Sequence, residues 1–304
     1  MSVTTRFAPS PTGPLHLGHA FSALMAHDMA MANGGRFLLR FEDIDRQRSK
    51  PQWEQQIFDD LEWLGLTWET PVMRQSDRLP AYRTALQRLW KCGWLYPCTC
   101  TRRDIAQAAS APQERDPIHG PDGLIYPGTC RSWHDATGAA YSSTPMPEQT
   151  ALRLHMETAA RAVCDSRIDR PGGGTTMANF HEITDIQTLE TRTVTFTPEE
   201  LVREVGDVVL SRKDFLGSYH LSVVLDDAAQ GITHVVRGQD LFEATKIHVV
   251  LQRLLGLATP DYHHHRLIRD DQGKRLAKRD DARAIAAYRA DGATPSDIRR
   301  MVGL

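Results

Sequence analysis

The chain has 304 residues, 41% of them apolar, which predicts a sizeable buried core and about two domains on a prior of roughly 150 residues each. Its 36 basic and 38 acidic side chains leave a formal charge of -2, so it does not coat polyanions by bulk charge, although a local basic face on a nucleic-acid enzyme is compatible with it. No stretch approaches about 18 apolar residues, and Met1 to Arg6 lacks the basic-then-apolar order of a signal peptide, so neither a membrane span nor classical secretion is expected and the cytosol is the predicted compartment. Five cysteines, with Cys98 and Cys100 one residue apart, fit a metal site plus spare thiols better than a disulfide framework.

Thr4 to Ala8 reads as a strand running into the Pro/Gly-rich turn Pro9 to Pro14, and Leu17, Ala20, Phe21, Leu24 and Met25 then recur at helical spacing. Gly34-Gly35 ends that helix, and Arg36 to Phe41 reads as the next strand, which makes a parallel βαβ unit with ligands expected at the carboxyl ends of its strands. Ser49 is the expected N-cap of a helix with Pro51 in its first turn and Trp53, Ile57, Leu61 and Leu64 on one face. A further helix fits Pro80 to Lys91, with Tyr82, Leu86 and Leu89 as its apolar stripe. From Cys98 to about Thr191 the chain is rich in Pro, Gly, Ser and Thr, with Pro171-Gly172-Gly173-Gly174 the most flexible stretch, and reads as an inserted module with irregular loops. Strand-like runs return at Asp207–Leu210, Leu221–Leu225 and Thr233–Val236, followed by a helical pattern from Leu241 to Leu255, so the α/β domain is expected to be split.

Two short patterns carry nucleotide chemistry. His16-Leu17-Gly18-His19 stands where the first loop enters the first helix, where imidazoles can donate to phosphate oxygens and the helix N-terminus favours an anion. Gly273-Lys274-Arg275-Leu276-Ala277-Lys278-Arg279 places four cations in a glycine-started loop suited to polyphosphate. Each alone is also compatible with an ordinary surface turn; the pair on a split α/β domain is the stronger signal.

With Arg6-Phe7-Ala8-Pro9-Ser10-Pro11-Thr12-Gly13, Arg40-Phe41-Glu42-Asp43-Ile44-Asp45 and Val236-Arg237-Gly238-Gln239-Asp240 added in the same order, the chain resembles the catalytic half of the class I glutamyl-tRNA synthetases from about residue 4 to about 282. The resemblance implies a Rossmann-type parallel sheet that condenses L-glutamate with ATP, accompanied by Mg²⁺, into glutamyl-adenylate and pyrophosphate. It implies His16, Gly18, His19, Arg275 and Lys278 at ATP, with His16, His19 and Lys278 in the chemistry, and Arg6, Ala8, Ser10, Glu42, Tyr219 and Arg237 around glutamate. In the second signature Arg275 replaces a lysine, which keeps the charge, whereas Ala277 removes a hydroxyl. The implied layout has residues 1–97 and 192–265 as the two Rossmann halves, 98–191 as the insertion, and 266–304 as the lysine-signature loop with a short helical stub.

Only about 25 residues follow Arg279, too few for the helical anticodon-binding domains of the longer synthetases. That combination resembles the glutamyl-Q tRNA(Asp) synthetases, which activate glutamate without tRNA and transfer it to queuosine at the wobble position, so the anticodon arm of tRNA(Asp) is the implied partner. The same resemblance matches Tyr126 to a phenolate ligand that, with Cys98, Cys100 and Cys130, closes a structural Zn²⁺ site. Spacing alone also admits His119 or His134 as the fourth ligand, or unligated thiols. Cys92 and Cys164 read as packing residues, and His263-His264-His265 as alternating strand positions with a structural or ATP-lining role. A minimal enzyme charging the 3′ end of tRNA, a non-catalytic synthetase-like binding module and a small-molecule nucleotidyltransferase are the competing functions. A monomer is expected.

Overall fold

The computed structural model describes residues 2–109, 119–131, 143–164, 177–269 and 282–304. The lysine-rich loop 273–279, His134 and Pro171–Gly174 lie outside them. Strand β1 (Thr4–Phe7), helix α1 (Leu17–Ala32) and strand β2 (Arg36–Phe41) form the expected parallel unit, with Thr4 opposite Arg36 and Phe7 opposite Leu39. Both strands are buried almost throughout, as parallel strands covered on both faces must be. The return from α1 is tight: a Cβ on Gly35 would stand 2.0 Å from the Val3 carbonyl oxygen, so only glycine fits.

Helix α2 (Pro51–Trp63) starts from Lys50, not from the expected Ser49, and Lys50 makes no side-chain cap bond. Pro51 explains the difference, because its fixed φ sets the first turn and it has no N–H to satisfy. Ile57, Leu61 and Leu64 are buried, whereas Trp53 is only partly so. Strand β3 (Glu69–Arg74) then joins β2 in parallel, and α3 (Leu79–Lys91) buries Tyr82, Leu86 and Leu89 as its stripe predicts.

The segment after Cys98 departs from the loop-rich expectation. It follows β4 (Leu95–Cys98) with α4 (Arg102–Ala109), a small hairpin of β5 (His119–Gly120) and β6 (Gly123–Leu124), β7 (Ala151–Leu154), α5 (Met156–Cys164) and β8 (Ala178–Ile183). Strand β9 (Thr191–Phe196) pairs antiparallel with β8, and β10 (Val209–Ser211) with β7, which also takes β4 on its other edge. Leu152, Leu154, Met156, Ala160 and Phe180 share one hydrophobic core with Leu86, Leu221 and Ile247. The turn-forming composition therefore marks the connections, while short buried runs between them add strands to the main body.

Leu221–Leu225 is not a strand but the middle of α6 (Tyr219–Ala229). This helix is buried on nearly every side, so its apolar residues run on without a 3.6 period, and a short apolar run is ambiguous between strand and helix. The signal that favours helix is Ser218, whose side chain caps it by accepting from Leu221 N–H. Strand β11 (His234–Gly238), α7 (Ala244–Leu255) and β12 (Asp261–His265) follow, with β12 parallel to both β11 and β8. Helices α8 (Ile285–Ala290) and α9 (Pro295–Val302) close the described chain, α9 packing on α1 and tying Arg299 to Asp28. Among the described residues no helix is long and apolar enough to cross a membrane.

The two parallel pieces meet where β11 abuts β1, joined by Thr233 N–H to Thr4 O at 3.0 Å and Thr4 N–H to Thr233 Oγ1 at 2.8 Å. Above this seam three charges interlock. Asp227 on α6 accepts from Arg6 Nε at 2.9 Å and from Arg40 Nη1 at 2.7 Å, and Arg40 has no exposed side-chain surface. Removing the shared carboxylate would leave Arg6 without an ion-pair partner among the described residues and Arg40 with only Glu42 at 3.5 Å, which costs more than the net worth of the pairs. Asp227→Ala is expected to lower stability by about 3–5 kcal/mol in urea unfolding, and a loss below about 1 kcal/mol would show that the cations find other partners.

Candidate active site

A cleft of about 490 Å³ opens at the carboxyl ends of β1, β2, β11 and β12, the crevice where an open parallel sheet changes direction and binds ligands. Its wall carries Arg6, Ala8 and Ser10 from β1 and the loop beyond it, Glu42 after β2, and Tyr219 and Arg237 from α6 and β11. His16, Gly18 and His19 line it from the start of α1. The structure thus gathers every sequence-predicted residue of both subsites that it describes; Arg275 and Lys278 lie outside the described residues. Ser22, Asp240, Leu241, His265, Leu267 and Ile268 also line the cleft. Of these, Asp240 stands in a quoted motif, and His265 was open to an ATP-lining role; the others carry no signal without the fold.

The two signature histidines cap the helix on which they stand. His16 is the N-cap: its Nδ1 accepts from Gly18 N–H at 3.1 Å, and His19 Nδ1 accepts from His16 N–H at 3.1 Å, a capping box built of imidazoles. With Nδ1 accepting, each neutral ring carries its proton on Nε2, the atom that can donate to an anion. The rings lie 3.8 Å apart between centroids, and a Cβ at Gly18 would press to 3.0 Å from the His16 ring.

Both pocket arginines are heavily committed. The Arg6 fork, Nε and Nη2, is taken by the two Asp227 oxygens at 2.9 and 3.3 Å and its Nη1 donates to the Val236 carbonyl at 3.4 Å, so less than a whole fork is left for a ligand carboxylate. Arg237 donates Nε to His264 Nε2 at 3.1 Å, Nη1 to His248 Nδ1 at 2.9 Å, and Nη2 to Thr245 Oγ1 and the Leu241 carbonyl. Burial raises the Glu42 carboxyl above its ordinary 4.5, against the opposing pull of Arg40 and Arg6. A ligand ammonium would restore the balance and favour the ionised form.

Away from the cleft, the Sγ atoms of Cys98, Cys100 and Cys130 all lie within 4.8 Å of one another. The Tyr126 hydroxyl is 3.6 Å from Cys98 Sγ and 3.4 Å from Cys100 Sγ, whereas His119 is exposed on β5. Three sulfurs at this separation and one phenolic oxygen suit a tetrahedral Zn²⁺. Arg153 lies over the Tyr126 ring at 3.9 Å with Nε 3.3 Å from Cys98 Sγ, a cation set against four potentially anionic donors. Burial opposes ionisation of Cys130, but hydrogen bonds led by that from the Tyr126 hydroxyl bring its thiol down to about 7. Of the two cysteines expected to pack, Cys164 is buried but Cys92 is exposed, since it stands at the solvent-facing C-cap of α3.

Residues 2–165 and 184–304 match the catalytic domain of the class I tRNA synthetases (E and Q), and the parallel sheet with its switch-point cleft is the fold of that domain. A protein of Rhodobacter capsulatus called Glutamyl-Q tRNA(Asp) synthetase is 62% identical over 99% of each chain, and one of the same name from Nocardia farcinica is 42% identical over 96% of this chain and 81% of its own. The glutamate-tRNA synthetase of Elizabethkingia anophelis has the same architecture, with a TM-score of 0.71 and 25% identity over 100% of this chain, which spans only 61% of that one. Methionyl-tRNA synthetase of Mycobacterium tuberculosis, at 9% identity and a TM-score of 0.54, shares the fold alone. The chain belongs to the class I tRNA synthetases of the E and Q type and, within them, to the glutamyl-Q tRNA(Asp) synthetase family.

The capping role of His16 separates from any ligand role by substitution. His16→Ala is expected to cost about 1 kcal/mol in urea unfolding, while His16→Asn, whose side-chain oxygen can accept from Gly18 N–H, stays near wild type. Equal losses in the two variants would refute the imidazole cap.

Proposed function

We propose that the chain activates L-glutamate with ATP in the absence of tRNA and passes the glutamyl group to queuosine at the wobble position of tRNA(Asp). The observation that carries this is one cleft lined by both signature histidines and all six residues assigned to glutamate, in a chain 62% identical to a relative bearing that activity in its name. Arg237 and Arg6 attract the side-chain carboxylate, Glu42 takes the α-ammonium, and Tyr219, Ala8 and Ser10 shape the remaining wall. His16 and His19 donate from Nε2 to the phosphates of ATP over the backbone of Gly18, and Arg275 and Lys278 supply charge from the lysine-signature loop. Mg²⁺ carried by ATP neutralises phosphate charge. A glutamate α-carboxylate oxygen bonds to the α-phosphorus as the bond to pyrophosphate breaks, so the protein's part is positioning and electrostatics. A queuosine hydroxyl then attacks the acyl carbon, loses its proton, and expels AMP.

The layout assigns 1–97 and 192–265 to the Rossmann halves, 98–191 to the insertion and 266–304 to the loop and helical stub. The insertion holds one structural Zn²⁺ through Cys98, Cys100, Cys130 and Tyr126, and the ion would lock β4 to the hairpin segment. The anticodon arm of tRNA(Asp) is the macromolecular partner, with exposed Arg102 and Arg103 on α4 among its phosphate contacts, and the enzyme works as a monomer in the cytoplasm.

Glutamate-dependent ATP–pyrophosphate exchange is expected without tRNA, reduced about 10²-fold or more in Lys278→Ala if one phosphate-directed cation is worth roughly 3 kcal/mol in the transition state. A queuosine-bearing stem-loop of tRNA(Asp) should accept labelled glutamate and its guanosine counterpart should not. Label on the 3′-terminal ribose of tRNA(Glu) would instead define a minimal glutamyl-tRNA synthetase. Metal analysis is expected to find about one zinc per chain, lost in Cys98→Ser; metal-free protein purified without chelators would refute the site.

A further inference from the structure

Arg237 sits at the end of a hydrogen-bonded chain that begins at the surface. Asp122, in the turn of the β5–β6 hairpin, contacts His220 Nε2 at 2.8 Å; His220 Nδ1 contacts His248 Nε2 at 3.1 Å; and His248 Nδ1 contacts Arg237 Nη1 at 2.9 Å. His220, His248 and Arg237 are buried, whereas the Asp122 side chain is half exposed.

The protons in this chain can be assigned from its two ends. A guanidinium only donates, so His248 Nδ1 must be an acceptor and His248 carries its proton on Nε2. That proton points to His220 Nδ1, which accepts it, so His220 also carries its proton on Nε2 and donates it to Asp122. A carboxylate, which only accepts, sits at the far end and a guanidinium at the near end, and both neutral rings are thereby held in one tautomer. Burial and the Arg237 charge also keep the His248 imidazole well below its ordinary value, hence neutral. A second imidazole answers the first across the guanidinium: His264 Nε2 accepts from Arg237 Nε, and its Nδ1 is 2.8 Å from Glu182 Oε2.

We propose that Asp122, His220 and His248 are positioning residues that fix the acceptor facing Arg237, and so couple the glutamate pocket to the hairpin that runs on into Tyr126. Four of the five Arg237 N–H donors are engaged, two of them by neutral imidazoles, which leaves one on Nη1 to offer to a ligand. Turning the His248 ring into its other tautomer would set N–H against N–H and swing that remaining donor off line. The inference rests on the reading that Arg237 receives the glutamate carboxylate.

The test uses the full-length, metal-loaded enzyme and compares wild type, Asp122→Ala, His248→Gln and the double variant. Glutamine needs no tautomer, since its Oε1 can face Arg237 whatever stands at residue 122. Asp122→Ala is expected to raise the glutamate KM in tRNA-free ATP–pyrophosphate exchange about fivefold, with kcat, ATP KM and zinc content near wild type, and to have no effect in the His248→Gln background. The same rise in both backgrounds, or a parallel rise in ATP KM, would show a merely structural role and overturn the proposal, as would an unchanged glutamate KM. Long-range ¹⁵N NMR of the wild-type imidazoles should show both rings protonated on Nε2, and an Nδ1-protonated His248 would overturn the relay without reference to activity. Absence of glutamate-dependent exchange in wild type would instead refute the proposed function, leaving the tautomer measurement to decide the relay.

Discussion

The sharing of Asp227 between Arg6 and Arg40 is the constraint on which the site depends. Two guanidiniums and one carboxylate, all buried, stand at the seam between β1–β2 and the second half of the sheet. Such a cluster is stable only when each charge is answered at once, so it can form only after residues more than 180 positions apart have met. The seam is also the floor of the cleft. The charges that join the two halves therefore set the field in which a ligand sits, and Glu42, within reach of Arg40 at 3.5 Å, belongs to the same balance.

Much of this was legible in the chain because the chemistry is local. The β1–α1–β2 unit declares itself through a Pro/Gly turn, a 3.6 period and the glycines that end the helix. Most cleft residues other than Tyr219 are readable because the segments that follow β1, β2 and β11 carry them in short contiguous motifs. What stayed hidden is nonlocal. The partnership of Asp227 with two arginines has no sequence signal, and neither does the pairing of Arg237 with His248 and His264. The helical state of Leu221–Leu225 was masked by its own burial, since a helix surrounded by protein has no polar face to reveal its period. The segment after Cys98 misleads in the opposite way: its turn-rich connections outnumber the short runs that add β7, α5 and β8 to the core.

Histidine recurs here as a neutral, oriented group. His16 and His19 accept through Nδ1 to cap α1, and His248 and His264 accept from Arg237, each in a tautomer dictated by its neighbours. A neutral imidazole serves both places because it can accept on one side and donate on the other, passing orientation along without adding charge beside a cation. Lysine, which only donates, would instead set a second cation against the guanidinium.

The commitment of Arg237 has a consequence for how a pocket of this kind chooses among substrates. A guanidinium with a whole fork free recognises a planar partner by shape, and an amide imitates part of that shape. Here most of the fork is spent on neutral acceptors within the protein, and among the described residues Arg237 has no ion-pair partner, so what the buried side chain presents is chiefly positive charge with one directional donor. If Arg237 receives the substrate side chain as proposed, discrimination between a carboxylate and the carboxamide of the same size would come from charge: the acid cancels the field, whereas the amide leaves it standing. Such selectivity survives small shifts of the ligand, because a field varies smoothly with distance while a hydrogen-bond fork does not.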